Sequence, residues 1–445
     1  MTKARWIALV LVLLSGGISV LWGSAIGLTE SGAPDFRAVY YGARCLIEYH
    51  NPYEVSELEG VYRADGAELP SDPIQRQVAT VFIYLPTAYI FIVPFAMLPY
   101  GAAQAIWLIL LAGFFILAAL LAWNLGARFA PGVSLFLICI LLANSEVLFA
   151  GGNTAGLVVS LCMVAVWCFL KDRFVPAGIL CLAASLAIKP HDAGLVWLYF
   201  LLAGGVYRKR ALQTLVLTIA LGLPAILWTT HVAPDWMQGL QSNLSATSAH
   251  GGINGPGPSS IGSRRIDMVV DLQSIVSVFG DDPRVYNSVS YLVCGALLLV
   301  WSVRTLRSRF SERRAWLALA AIVPLTMLVT YHRPWDAKLL LLAVPACAML
   351  WAEGGLTGWL ALMVTAAGIV LTGDIPLTIL AILTKSLRLS SVELTGRILT
   401  VVFMRPIPLI LLVMSIFYLW VYLRRTGPDR ESGTSRPFQQ GGGLT

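Results

Sequence analysis

The chain has 445 residues, of which 57% are hydrophobic and only 12% charged, with a formal net charge of +7. Soluble domains carry roughly twice that share of charge, so the composition excludes an ordinary water-soluble fold and calls for a membrane protein. The positive charge is spread over short loops such as Arg208–Arg210 and Arg304–Arg314, the pattern of cytoplasmic loops, which argues against a nucleic-acid partner.

Apolar segments long enough to cross a hydrocarbon core of roughly 30 Å recur almost to the end of the chain. Twelve spans are expected, near 6–27, 101–125, 133–149, 154–170, 174–188, 192–206, 211–229, 288–304, 315–331, 337–351, 356–372 and 400–423. The first follows Lys3 and Arg5 and has the make-up of a signal peptide, but so many later spans favour an uncleaved helix.

After it, Pro34-Asp35 opens an amphipathic helix whose apolar face is Phe36, Val39, Tyr40, Ala43, Leu46 and Ile47, ended by Asn51-Pro52 and expected to lie on the outer membrane surface. Asp35 has two compatible readings there, an N-cap and a carboxylate facing a cavity. The stretch Ala79–Pro99 is apolar enough to span but contains Pro86, Pro94 and Pro99, and is expected to be re-entrant or interfacial on the outer side. Only then do the basic clusters at Lys3/Arg5, Arg128, Lys171/Arg173, Arg208–Arg210, Arg304–Arg314 and Arg424/Arg425 share the inner face.

The outer face then holds 33–76, 151–153, 189–192, 231–287, 332–336 and 373–397. In the long loop, "HGGINGPGPSSIGS" suits a mobile cover rather than a packed element. The expected fold class is an all-α polytopic membrane protein of about twelve transmembrane helices plus outer-face interfacial or re-entrant helices. A single transmembrane domain covers 1–425, with outer loops at 29–100 and 230–287, and 426–445 is expected to be a disordered cytoplasmic tail.

Three stretches carry a family resemblance: "PDFRAVYYGARCLIEYHNPY" after the first span, "GGNTAGLVVSLCMVAVWCFLKDRFVPAGILCLAASLAIKP" at 151–190, and "YHRPWDAK" at 331–338. Their order and spacing resemble the GT-C class of polytopic glycosyltransferases. More narrowly, they are similar to the glycosyltransferase family 87 mannosyltransferases, which use polyprenyl-phosphate mannose. The resemblance implies a GT-C-like fold and an outer-facing active site in which an Asp of the first loop is the base, a role that falls on Asp35. It also implies a His of a later outer loop near the sugar-phosphate, which falls on His332. A Gln is expected at the position of Gly152, so a sugar contact from there is not carried over.

The residues fit such chemistry. Asp35 has no acidic neighbour closer than Glu30 and Glu48, so it is not half of a glycosidase-like pair, and a lone base suits inversion. Lys189, His332, Arg333 and Lys338 stand at outer ends of spans, where an anionic lipid head group is a good reason for cations. Alternatives stay open: Lys189 and Lys338 as snorkelling side chains, Arg333 as a partner of Asp336, His191 and Asn153 as structural groups, Arg37 and Arg44 as pocket or head-group contacts. Trp335 and the tyrosines 40, 41, 49 and 53 read either as sugar platforms or as interfacial aromatics.

No DxD, Walker A, CxxC or His at metal-ligand spacing occurs, so neither metal nor cofactor is expected, and the seven cysteines read as packing residues. The expectation is a metal-independent, inverting transfer of a sugar, mannose by resemblance, from a polyprenyl-phosphate donor to a lipid or glycan acceptor. It places the enzyme among the lipids of a bacterial inner membrane, with an extracytoplasmic site. The rival is a transporter or lipid flippase, but charges gathered at one face and unmatched halves favour surface chemistry.

Overall fold

In hydrocarbon every backbone N–H and C=O needs an internal partner, and the apolar runs meet that demand as helices. The computed structural model describes residues 3–29, 32–71, 73–257, 269–385 and 393–425, and among these there is no strand. The tail 426–445 and the 258–268 part of the long loop lie outside the described residues.

Among the described residues six helices are long and apolar enough to cross a membrane: Trp6–Gly27, Tyr100–Gly126, Thr154–Lys171, Gly205–Val232, Pro283–Arg307 and Pro406–Arg424. The other expected spans are helical too, but shorter or interrupted. Pro131–Ala143 gives way to a separate turn of helix at Glu146–Gly151. Residues 336–351 divide into a 3₁₀ segment, Asp336–Ala343, and the helix Val344–Glu353, which carries Pro345 in its first turn, where no intrahelical N–H is needed.

The centre of the bundle is formed by the segments that touch least lipid. Every residue from Ala315 to Leu328 is buried, as is every residue from Asp336 to Leu350. Trp301 donates to the Ala318 carbonyl at 2.9 Å and Ser415 to that of Ala321, so flanking helices are pinned to this core by polar contacts.

Two polar networks mark the opposite ends of the helices. At one end Arg128 and Lys171 converge on Glu312, Arg210 pairs with Asp172, and Arg313 and Arg425 share Glu353. At the other, Asp35, Asn153, Lys189, Asp192, His332 and Asp336 come together. The helix Thr154–Lys171 runs from one network to the other.

Over the second end lies a layer of short helices, Pro34–Ile47, Val55–Ala64, Pro73–Thr80, Tyr89–Ala96 and Trp236–Ser248. The stretch 79–98 starts and finishes in this layer: Tyr62 bonds the carbonyl of Ala79 and Tyr40 that of Leu98. Its helical part, a 3₁₀ turn at Pro86–Ala88 followed by Tyr89–Ala96, is about 16 Å long at 1.5 Å per residue, too short to cross.

Two expectations need correcting. The helix Pro34–Ile47 does not lie on lipid, because Phe36 stacks on Trp107 at 5.2 Å, Tyr40 meets Tyr100 edge-on at 5.2 Å, and Val39, Ala43 and Leu46 are buried, so its apolar face is covered by protein. The long loop is packed rather than a mobile cover in its described parts. Asn243 donates to the carbonyls of Tyr53 and Phe82, and 253–257 are buried, whereas 258–263 of the tract lie outside the described residues.

Helices Thr154–Lys171 and Val175–Ile188, which deliver Asn153 and Lys189 to the polar end, approach closely at Gly178, where an added Cβ would stand 2.7 Å from the Cβ of Cys168. Gly178→Val is therefore expected to destabilise the protein by about 1–3 kcal/mol through overpacking. Thermal unfolding in detergent checks this, and an unchanged midpoint would show that the two helices part without cost.

Candidate active site

Asp35 is placed by backbone geometry rather than by capping. Ala33, in the left-handed region at φ 49°, is the N-cap and bonds through its N–H to the Ala150 carbonyl at 2.9 Å. Pro34 then starts the helix, and Asp35 makes no cap hydrogen bond, so the N-cap reading of this carboxylate does not hold. Its side chain instead receives the Asn153 amide at 2.9 Å.

Asn153 has two tasks at once. Its Oδ1 caps the helix Thr154–Lys171 by accepting from the Ala155 N–H at 2.8 Å, which aims Nδ2 at Asp35. The two glycines before it make room: a Cβ on Gly151 would lie 2.7 Å from the Asp35 carboxylate, and one on Gly152 2.8 Å from the Cβ of Phe36. Gly152 also has φ +59°, a conformation that glycine adopts with least strain.

Lys189 occupies the bend between helices Val175–Ile188 and Pro190–Ala203. It does not snorkel to lipid. Its ammonium is buried between Asp192, at 3.2 Å, and Asp336. Burial disfavours its charge, but the two carboxylates outweigh that and raise its pKa above the ordinary lysine value.

His332 and Arg333 follow the central helix Glu312–Val329, on a turn held when Asp336 accepts from the Arg333 N–H at 2.7 Å. His332 is wholly buried, with Nδ1 2.8 Å from the Thr330 carbonyl and Nε2 3.1 Å from Asp192. Burial alone would lower its pKa, yet the bond to Asp192 and the charge of Asp192 raise it. The Arg333 side chain goes to the Tyr331 hydroxyl and to Asn254 of the long loop, so its tie to Asp336 is through the backbone.

These groups form one electrostatic unit. Burial raises the Asp35 pKa above its ordinary value, while the Asn153 bond and the charges of Arg333 and Lys189 pull it part of the way back. Lys189 in turn leads through Asp192 to His332. Tyr84, whose hydroxyl lies 3.2 Å from that of Thr154, sits close enough for Asp35 and Lys189 to act on its titration.

Other expected site residues are placed elsewhere. Lys338 is buried among the carbonyls of Asn144, at 2.6 Å, and Thr372, at 3.1 Å, and so fastens helix ends together. Within the outer layer Tyr41 bonds Asp65 at 3.0 Å, Arg44 pairs with Glu48, and Arg37 lies over the Tyr100 ring. His191 is at the edge of the cluster, its ring 5.0 Å from that of His332, and Trp335 is half-buried against the Arg333 guanidinium.

Sequence reasoning missed Asp192, Asp336 as the lysine's partner, Tyr84, Thr154 and Asn254. A polar side chain inside "IYLP" and the acid directly after "KPH" are the signals that pointed to two of them. His191, Asp192 and His332 also bring three ligand-type atoms within 4.8 Å of one another. Spacing along the chain could not reveal this, since His332 arrives from a distant segment. The ammonium 3.2 Å from Asp192 already supplies that carboxylate with a cation. A groove of about 580 Å³ along the helix Gly205–Val232, lined by Arg208, Lys209, Leu212 and Val216, shares no residue with the cluster.

No curated protein and no solved structure matches the chain. The family comparison does match, over residues 82–330, which include Asn153, Lys189, His191 and Asp192 and more than half of the chain. By that match the chain belongs to glycosyltransferase family 87, and the protein is a membrane glycosyltransferase.

Proposed function

We propose that this glycosyltransferase moves a sugar, mannose by family resemblance, from a polyprenyl-phosphate donor to a lipid or glycan acceptor. Transfer takes place on the extracytoplasmic face of a bacterial inner membrane, without a metal and with inversion. The observation that carries the reading is the convergence of one half-buried carboxylate, Asp35, with Lys189, Arg333 and His332 at one end of the helices.

In the proposed step the acceptor oxygen forms a bond to the anomeric carbon as the bond from that carbon to the phosphate oxygen breaks. The acceptor proton goes to Asp35, and the electron pair leaves with the lipid phosphate. The second ionisation of a phosphate monoester lies near pH ~6, so the leaving group departs mainly as a dianion and needs cations more than an acid. Lys189, Arg333 and protonated His332 supply three positive charges against those of Asp35, Asp192 and Asp336. The cluster is thus neutral before the donor arrives, and taking up the proton on Asp35 leaves it positive as the phosphate gains charge.

Membranes containing the protein are to be incubated with radiolabelled polyprenyl-phosphate mannose and candidate acceptors. Asp35→Asn is expected to lose ~10²- to 10⁴-fold in transfer rate at equal expression, the usual worth of a placed base. Transfer at the parental rate would remove Asp35 from that role.

The acid limb of the rate profile tests the same carboxylate. Only ionised Asp35 accepts a proton, and its pKa is raised above 3.8, so activity is expected to fall, as pH drops, before an ordinary aspartate would protonate. Asn153 donates to the ionised form and holds that pKa down, so Asn153→Ala should move the limb to higher pH. A limb that stays in place or moves down would contradict this.

Sidedness is read by labelling with an impermeant thiol reagent from outside intact cells. Cysteines at the exposed positions Tyr49 and Asp235 are expected to react, and one at Arg173 only after permeabilisation. The reverse pattern would put the site in the cytoplasm.

A further inference from the structure

His332 presents both ring nitrogens to acceptors, Nδ1 to the Thr330 carbonyl at 2.8 Å and Nε2 to Asp192 Oδ1 at 3.1 Å. A neutral imidazole has one donor, so it would turn a lone pair on one of them, whereas an imidazolium donates to both. The ring is fully buried and cannot turn to water for a substitute.

Asp192 is the group that decides the matter. It is itself buried, with Oδ1 3.1 Å from His332 and 3.7 Å from His191, whose pKa burial lowers, and Oδ2 3.2 Å from the Lys189 ammonium. Lys189 donates a hydrogen bond to Asp336 and faces Asp192 as an ion pair at 3.2 Å, so its ammonium keeps N–H groups for an anion.

We infer that Asp192 is a positioning residue for the donor phosphate: its buried carboxylate, 3.1 Å from His332 Nε2 and 3.2 Å from the Lys189 ammonium, keeps His332 charged and holds the two cations side by side. This rests on the donor reading of the site given above. His332, wholly buried against Asp192, then acts on the phosphate by charge, and Lys189 makes the direct contact.

The groups facing His332 come from three elements besides its own turn. Asp192, His191 and Lys189 lie on or beside the helix Pro190–Ala203, Asp336 lies four residues on, and Asp271 approaches from the long loop, where burial raises its own pKa to about 6. Asp192 is the one that touches the ring. Losing its charge lowers the pH at which His332 gives up its proton.

The test uses purified full-length protein in detergent and, as probe, a polyprenyl methyl phosphate, a diester whose single charge does not titrate between about pH 5 and 9. Binding to the parent is expected to weaken as pH rises through the His332 pKa. In Asp192→Asn it should be weaker by about tenfold near neutral pH, the scale of one charge-assisted contact, with the midpoint of weakening moved to lower pH. Asp192→Glu, which keeps the charge, should restore most of the affinity, and His332→Ala should abolish the pH midpoint.

If Asp192→Asn does not accumulate, the Asp192→Glu and His332→Ala measurements carry the test alone. Equal affinity and an unmoved midpoint in Asp192→Asn would overturn the inference, as would a midpoint that persists in His332→Ala. Loss of binding on chelation, with return on adding zinc, would overturn it too by making the His191, Asp192 and His332 group a metal site. Because binding is measured without transfer, an active Asp35→Asn enzyme would defeat the base assignment and leave this result standing.

Discussion

The polar end of the molecule is organised around one buried ammonium. Lys189 contacts a carboxylate three residues ahead of it and another 147 residues further along, and this is where the first half of the bundle is joined to the central segments 315–328 and 336–350. Removing one member of a buried ion pair costs about 3–5 kcal/mol because the other is left uncompensated. The three groups therefore hold each other's position. Asp336 spends its second oxygen on the Arg333 N–H and so shapes the turn that carries His332.

Asp35 is held by a different kind of constraint. Among the described residues its hydrogen-bond partner is a neutral amide, that of Asn153. What fixes it is the fit between the start of its helix and the Gly151-Gly152 turn, where neither residue tolerates a side chain. A carboxylate set by steric fit and one neutral donor remains more basic than one clamped by a salt bridge, since ion pairing would pull its pKa down. The structure thus separates the two kinds of acid: Asp192 and Asp336 are paired with a cation, and Asp35 is not.

The periodicity of the apolar runs made all the expected spans legible as helices, because the bilayer leaves the backbone little choice. It could not separate lipid-facing helices from the core segments 315–328 and 336–350, which are buried on every side, so the division of 337–351 between Ala343 and Val344 was invisible. Asp35, Lys189, His332 and Arg333 were legible as polar groups at helix ends, where their cost demands a reason. Lys338 looked the same by that criterion. Its buried contacts with the carbonyls of Asn144 and Thr372 depend on which helix ends meet, and that is tertiary information. For the same reason Asp192 drew no reading of its own, and Asp336 was matched to Arg333 rather than to Lys189.

Two opposing influences set the strength of the proposed base, and they change when the donor enters. Within the protein burial raises the Asp35 pKa while Arg333 and Lys189 restrain it. A bound phosphate diester brings one negative charge against those same cations and weakens their hold on the carboxylate. The charge that identifies the donor would therefore also make Asp35 more basic at the moment a proton has to be taken, and general-base efficiency rises as the pKa approaches the working pH. A water molecule in the donor-free cleft would meet a weaker base, so in this arrangement the base gains its strength from the donor's own charge and not from the acceptor.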